Sequence, residues 1–321
     1  MVLIWVVLGY GLNINQTYVI YYCHPTNCFC LPAKKFELFS QPGEPSSTRI
    51  SGGAFTMIER LQQALPSENI HLNASVIKCK YLSTTNKDGN NLIEIQISPT
   101  TTSDSISNRI YYAKQIVIAA APKIVSKHIV FDPPLSVEKQ KAMDASHTWM
   151  AGVTKLSLVY DTKFWSDDNS YMGLKDGPAF QMYDASDGTV QALTFFTLVS
   201  TPNMNKRALA AEVISQLAKI WKRYYNNIDC ETTKLANYTD VYIQSWPNEE
   251  FISEDSYPTH IHPHPIPVQA LAASEWNNQL LFAGTETDQD SPGVMEGAIG
   301  AALRVYQTIL QTCAVRHGKN C

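Results

Sequence analysis

The run Leu280-Leu281-Phe282-Ala283-Gly284-Thr285-Glu286-Thr287, followed by Ser291-Pro292-Gly293-Val294-Met295-Glu296-Gly297-Ala298, limits what this chain can be more than any other stretch. The short apolar run reads as a buried strand. A loop carrying Glu286 follows, and small residues then open a helix. This layout suits a flat, anionic ligand. A strand end presents backbone groups, and a carboxylate can bind a sugar hydroxyl. A helix start offers free N–H groups and partial positive charge, and small residues let the backbone come close.

Composition narrows the class. The chain has 321 residues, 45% of them hydrophobic and 17% charged, as expected for an ordered globular protein of more than one domain. A net charge of −4 with no long basic run gives no reason to expect nucleic-acid binding. No apolar segment reaches the roughly 20 residues of a membrane span. Met1 to Leu8 is apolar but lacks the preceding positive charge of a signal peptide. The seven scattered cysteines suggest free thiols in a reduced compartment, which favours the cytoplasm over secretion. Cys23-His24 with Cys28 and Cys30 lacks the second half of a metal site, and His260, His262 and His264 alternate with prolines as in a loop. No metal is therefore expected.

Along the chain, Ser51-Gly52-Gly53 precedes a helical pattern at Phe55, Ile58, Leu61 and Leu65. Ile70–Tyr81, Leu92–Ile97 and Arg109–Tyr112 read as strands of a small antiparallel meander. Gln115 to Ala121, stopped by Pro122, reads as a strand buried on both faces. Val137 to Met143 reads as a short helix. Ala151–Tyr160, Val190–Ser200 and Tyr238–Trp246 read as strands of a second sheet, and Asn205–Tyr225 as a helix with one apolar stripe. Pro247 to Ala273 is a long connection. The last helix should start near Gly293 and face inward through Ile299, Ala302, Leu303, Tyr306 and Leu310.

The closing block resembles the C-terminal flavin-binding motif of the flavin-dependent amine oxidase family. The resemblance covers roughly residues 51–313. It includes Gly52-Gly53 before a helix, Val76 in the next strand, Ile116 to Pro122, and Phe131-Asp132-Pro133-Pro134-Leu135. By this resemblance Val76, Gly284, Thr285, Glu286, Gly293, Val294 and Met295 contact FAD, with Val76 on the adenine ring and Glu286 at the family's acidic position. Lys155, within Val153-Thr154-Lys155-Leu156-Ser157-Leu158, falls where the family places a lysine. That lysine holds a water against the flavin N5 and can stabilise charge as dioxygen is reduced. A lysine snorkelling from an edge strand is the structural alternative. Phe196 falls on the substrate-pocket wall, though it could equally be a core aromatic.

Three departures shape the expectation. Monoamine oxidases flank the substrate nitrogen with aromatics, and one such position holds Val294 here; the other lies near Ser256 and Tyr257. No cysteine lies between Trp246 and Gly284, so FAD should be noncovalent. The family's opening G-x-G-x-x-G turn is not matched by Gly9-Tyr10-Gly11, because Ile14 occupies the third glycine position. The chain thus resembles the C-terminal two-thirds of the family.

These readings imply an α/β protein with a partial FAD-binding domain interleaved with an α+β substrate-binding domain. Residues 1–50 would be an N-terminal remnant of the substrate domain with a loop. Residues 51–125 and 275–321 would belong to the FAD domain, and 126–274 to the substrate domain. The implied activity is oxidation of an amine C–N bond by hydride transfer to FAD, with dioxygen as acceptor and peroxide released. The alternatives are a non-catalytic remnant or binding module without cofactor, and a flavin enzyme acting on another bond.

Overall fold

The computed structural model describes residues 2–7, 18–23, 52–72, 74–83, 91–99, 109–165, 171–172, 177–198, 205–224, 229–252 and 264–317. Gly9, Gly11, Ile14, Cys28, Cys30, Ser256, Tyr257, His260 and His262 lie outside them. Among the described residues no helix is long and apolar enough to cross a membrane. The chain divides into two compact units, Met1–Ser146 with Ile266–Cys321, and His147–Pro265.

The first unit holds two sheets. One contains β1 (Val2–Val7), β2 (Tyr18–Cys23), β6 (Gln115–Ala119) and β13 (Leu280–Phe282), in the order β13-β6-β1-β2. β13, β6 and β1 are parallel, and β2 runs antiparallel to β1. Parallel strands covered on both faces need continuous apolar runs, which Gln115-Ile116-Val117-Ile118 and Leu280-Leu281-Phe282 supply. The other sheet has the order β5-β4-β3-β7, built from β3 (Ala74–Leu82), β4 (Leu92–Pro99), β5 (Arg109–Ala113) and β7 (Val130–Asp132). Its first three strands form the expected antiparallel meander. The helices are α1 (Phe55–Gln63), α2 (Pro122–His128), α3 (Val137–Ala145), α6 (Gln269–Ala272) and α7 (Met295–His317).

A tight loop joins the two sheets. Trp276, Asn277 and Asn278 have φ of 52°, 54° and 60°, a left-handed run without glycine. The Trp276 ring lies 5.8 Å from Tyr81 of β3 and 6.0 Å from Phe131 of β7. Buried Gln279 donates to the carbonyls of Asn91 and Lys114, at 3.0 and 2.6 Å. Gln115 Nε2 donates to Asn278 O at 2.9 Å. These bonds hold a conformation that disfavours side chains with a Cβ. Asn277 is exposed. Asn277→Gly should therefore stabilise the protein by about 0.5 kcal/mol, read as a higher urea midpoint.

α7 differs from the sequence expectation. Ile299 and Leu303 are 56% and 57% exposed, whereas Ala301 and Val305 are 0% and 3% exposed. The buried stripe runs through Gly297, Ala301 and Val305, and Val305 packs on Val117 and Leu281 with Ile309 beside it. The helix is rotated from its most hydrophobic face because the loop before it demands small residues. A Cβ on Gly297 would lie 2.0 Å from Ser291 O, and one on Gly300 would lie 2.4 Å from Asp288 Oδ1.

The second unit is a five-stranded sheet of order β12-β8-β11-β10-β9 with antiparallel pairing throughout. Its strands are β8 (Thr154–Tyr160), β9 (Tyr171–Met172), β10 (Ala179–Asp184), β11 (Gln191–Thr197) and β12 (Asp240–Ser245). α4 (Lys206–Tyr224) and α5 (Asp229–Ala236) cover one face. There Leu209, Val213 and Leu217 meet Leu156, Leu158 and Phe195 in a dry core.

The observed units change at 146/147 and 265/266, later and earlier than the sequence division at 126 and 274. β1 and β2 also share a sheet with β6, whereas the sequence division gave residues 1–50 to the substrate domain. Polar ties explain the first shift. Lys123 Nζ of α2 donates to Asp144 O of α3 at 2.9 Å, and Gln140 Nε2 of α3 donates to Ser126 Oγ of α2 at 2.7 Å.

Candidate active site

The parallel strands of the first unit end together. Ala119 of β6 lies opposite Val6 of β1, and Phe282 of β13 lies opposite Ile118 of β6. Open parallel sheets bind ligands outside these carboxyl ends. Ala120-Ala121 follows β6 and Ala283-Gly284 follows β13. The backbones approach so closely that a Cβ on Gly284 would stand 2.7 Å from Ala120 O.

Glu286 is the middle residue of the single helical turn Thr285–Thr287. Two threonines fix that turn. Thr285 Oγ1 donates to Val294 O at 2.6 Å, and Thr287 Oγ1 donates to Gly284 O at 2.7 Å. Asp288 Oδ2 accepts from the backbone N–H groups of Asp290 and Ser291, at 3.1 and 2.8 Å. Gly293, at φ 83°, turns the chain into α7. The expected residues Gly284, Thr285, Glu286, Gly293, Val294 and Met295 are thus gathered into one strand–loop–helix. Met295 is exposed. Val76 lies in the same unit on β3, opposite Ile97, with its side chain buried in the sheet.

The Glu286 side chain is the electrostatic centre of this loop. The residue is 5% exposed, and burial raises its carboxyl pKa while its own backbone N–H opposes the rise. Among the described residues no side chain donates to it. A buried carboxylate costs free energy unless donors satisfy it, and its oxygens have the chemistry to accept a hydroxyl or N–H. A Cβ added at Gly284 would stand 3.4 Å from Glu286 Oε2, so glycine keeps a side chain off this carboxylate.

Two cations beside this loop escaped the sequence reading. Arg304 of α7 donates from Nη1 to Ala272 O at 3.1 Å. From Nη2 it reaches Phe282 O and Thr287 Oγ1, both at 2.8 Å. Lys139 of α3 is 1% exposed. Its Nζ donates to Leu271 O at 2.8 Å and to Ala273 O, and it stands 3.8 Å from the centre of the Phe282 ring. Arg304 becomes legible only when the inward face of α7 is phased on Gly297 and Ala301. Lys139 carries no comparable signal, since it lies in a helix with little amphipathic pattern.

Burial lowers the Lys139 pKa to about 7; Glu275 pulls it up and Arg304 pushes it down. The unfolded chain, near the ordinary lysine value, then binds more protons between pH 7 and 10 than the folded one. Stability attributable to Lys139 should rise as pH climbs through that window. Urea midpoints of the parent protein minus those of Lys139→Met should accordingly increase from pH 6.5 to 9.5, and a flat difference would contradict the assignment.

In the second unit, the β8 register sets Lys155 opposite Phe196 of β11 on one side and Gln244 of β12 on the other. Alternation puts Leu156, Leu158 and Tyr160 under α4 and α5 and Lys155, Ser157 and Val159 on the opposite face. Phe196 also pairs with Gln181 of β10, and its ring lies 5.6 Å from Tyr183 and 6.3 Å from Phe180. Tyr183 OH donates to Gln181 Oε1 at 2.9 Å, and Gln244 Nε2 donates to Glu249 Oε1 at 2.8 Å. Lys155 and Phe196, chosen separately from the sequence, are cross-strand neighbours. Gln181, Tyr183 and Gln244 join them by register, which no single strand reveals.

A parallel sheet that ends at a buried acid and a glycine-lined helix, together with a separate antiparallel sheet, defines an α/β fold of the FAD-dependent amine oxidase type. The chain matches the flavin containing amine oxidoreductase family model over residues 19–310 and belongs to that family. It is 26% identical to flavin-containing amine oxidase B of Mus musculus over 213 residues, 64% of this chain and 39% of that one. Lysine-specific histone demethylase 1 of Schizosaccharomyces pombe is 23% identical over 202 residues, 61% of this chain and 19% of its own length. Among solved structures, putrescine oxidase bound to putrescine superposes with a TM-score of 0.54 at 17% identity, covering 82% of this chain and 53% of that chain. Cyclohexylamine oxidase from Brevibacterium oxydans IH-35A gives 0.53 at 17% identity, covering 79% and 53%. The chain thus spans well under two-thirds of the length of each of these relatives.

Proposed function

We propose that this protein is an FAD-dependent oxidase acting on the C–N bond of an amine, with FAD held noncovalently. The observation that carries the reading is Glu286, a buried carboxylate to which no side chain among the described residues donates, at the shared carboxyl edge of parallel strands. When bound, the flavin supplies the two-electron acceptor that turns amine into imine and passes the electrons to dioxygen as peroxide.

The chain's own residues have separate tasks in this reading. Glu286 accepts a hydrogen bond from a cofactor hydroxyl. Gly284 lets the strand end approach the cofactor, and the start of α7 at Met295 favours its anionic portion. On the second unit, Phe196 and Tyr183 form an aromatic wall that can desolvate and orient an amine. Lys155 supplies a cation on that same face, suited to stabilising negative charge that develops on oxygen. With Val294 in place of one flanking aromatic, a simple aromatic amine is not the favoured substrate.

A coupled peroxide assay over primary amines, polyamines and amino acids tests the proposal. Amine-dependent peroxide from flavin-loaded protein supports it. A binding module without cofactor would instead give no peroxide with any substrate and no flavin uptake.

A further inference from the structure

We infer that Arg304 is a positioning residue that aims the Glu286 carboxylate. The inference rests on the reading of Glu286 as a cofactor-binding group. Arg304 spans three separate pieces of chain with one guanidinium: the end of α6 through Ala272 O, the end of β13 through Phe282 O, and the Glu286 turn through Thr287 Oγ1. Thr287 passes the restraint on by donating to Gly284 O at 2.7 Å. On the other side of Glu286, Thr285 ties the turn to Val294 at the start of α7. The carboxylate thus sits between two anchored neighbours.

The cost of this arrangement points the same way. Arg304 is drawn partly out of water, burial lowers its pKa, and its Nε–H is buried with no acceptor among the described residues. A lone anchor between helix and strand could be made more cheaply by an apolar side chain. A planar fork is needed to satisfy acceptors in several directions at once, and lysine cannot reproduce it. Lys139 completes the frame by holding Leu271 O and Ala273 O on either side of the carbonyl that Arg304 takes. The α6 end is thereby fixed while Arg304 fixes the turn to it.

The test is a double-mutant cycle on the full chain, with urea unfolding of the apoprotein and FAD titration as separate readouts. In the parent, Glu286→Gln should raise the apoprotein urea midpoint, because a buried charge is removed, and should weaken FAD binding about tenfold. In Arg304→Gln the turn is released, the carboxylate reaches water, and adding Glu286→Gln should change neither readout. Arg304→Lys should behave like Arg304→Gln. Thr287→Val, a milder change that keeps the arginine and its carbonyl contacts, should also abolish the effect of Glu286→Gln. Additive effects in both cycles, or full FAD affinity in Arg304→Lys, would overturn the positioning role. If the parent takes up no FAD, the functional reading fails, while the apoprotein cycle still decides the role of Arg304.

Discussion

Gly297→Ala is expected to destabilise the folded protein by about 2 kcal/mol and to loosen the cofactor loop. The added methyl would stand 2.0 Å from Ser291 O, a backbone atom that cannot swing aside. Overpacking of this kind costs about 3 kcal/mol, and alanine recovers ~1 kcal/mol of glycine's helix penalty. The clash wins. α7 must move away from the loop that Thr285 Oγ1 and Asp288 hold against it. Gly300→Ala is the internal comparison. Its methyl meets a carboxylate tip, Asp288 Oδ1, which can rotate at the expense of the N–H bonds from Asp290 and Ser291. That variant should end near the parent in stability. Urea unfolding of both variants checks the order, and a Gly297→Ala midpoint equal to the parent's would contradict this packing.

Lys155→Met should lower kcat/KM for peroxide formation by at least about 10²-fold, the usual cost of losing one group that stabilises developing charge. Lys155 is exposed on the face of its sheet opposite α4 and α5, so stability should stay within about 0.5 kcal/mol of the parent. Phe196→Ala, directly across the strand pair, should raise KM more than it lowers kcat, since it removes wall rather than charge. Steady-state kinetics with varied amine and varied oxygen separates the two. Equal rates for Lys155→Met and parent would remove the lysine from the chemistry.

Much of this arrangement is visible in the sequence because local rules govern it. The strand–loop–helix at 280–298 depends on short-range choices: an apolar run, a threonine–acid–threonine turn, and glycines where backbones meet. The alternation in Thr154 to Tyr160 likewise puts Lys155 on the face opposite Leu156 and Leu158. What the sequence hides depends on partners far along the chain. Hydrophobicity points α7 inward through Ile299 and Leu303, whereas the loop before the helix selects Gly297 and Ala301. Arg304 and Lys139 act on carbonyls whose positions are set by other segments. The place of Val2–Val7 beside β6 depends on parallel pairing across more than 100 residues, which periodicity cannot report.

Flavin binding at the edge that holds Glu286 underlies every catalytic role proposed above. Titrating the purified full chain with FAD, followed by flavin absorbance after desalting and again after acid precipitation, tests it most directly. Uptake should be saturable and weakened by Glu286→Gln, with all the yellow colour released into the acid supernatant. Protein that stays colourless at every FAD concentration, or that binds FAD equally well with Glu286→Gln, would contradict it.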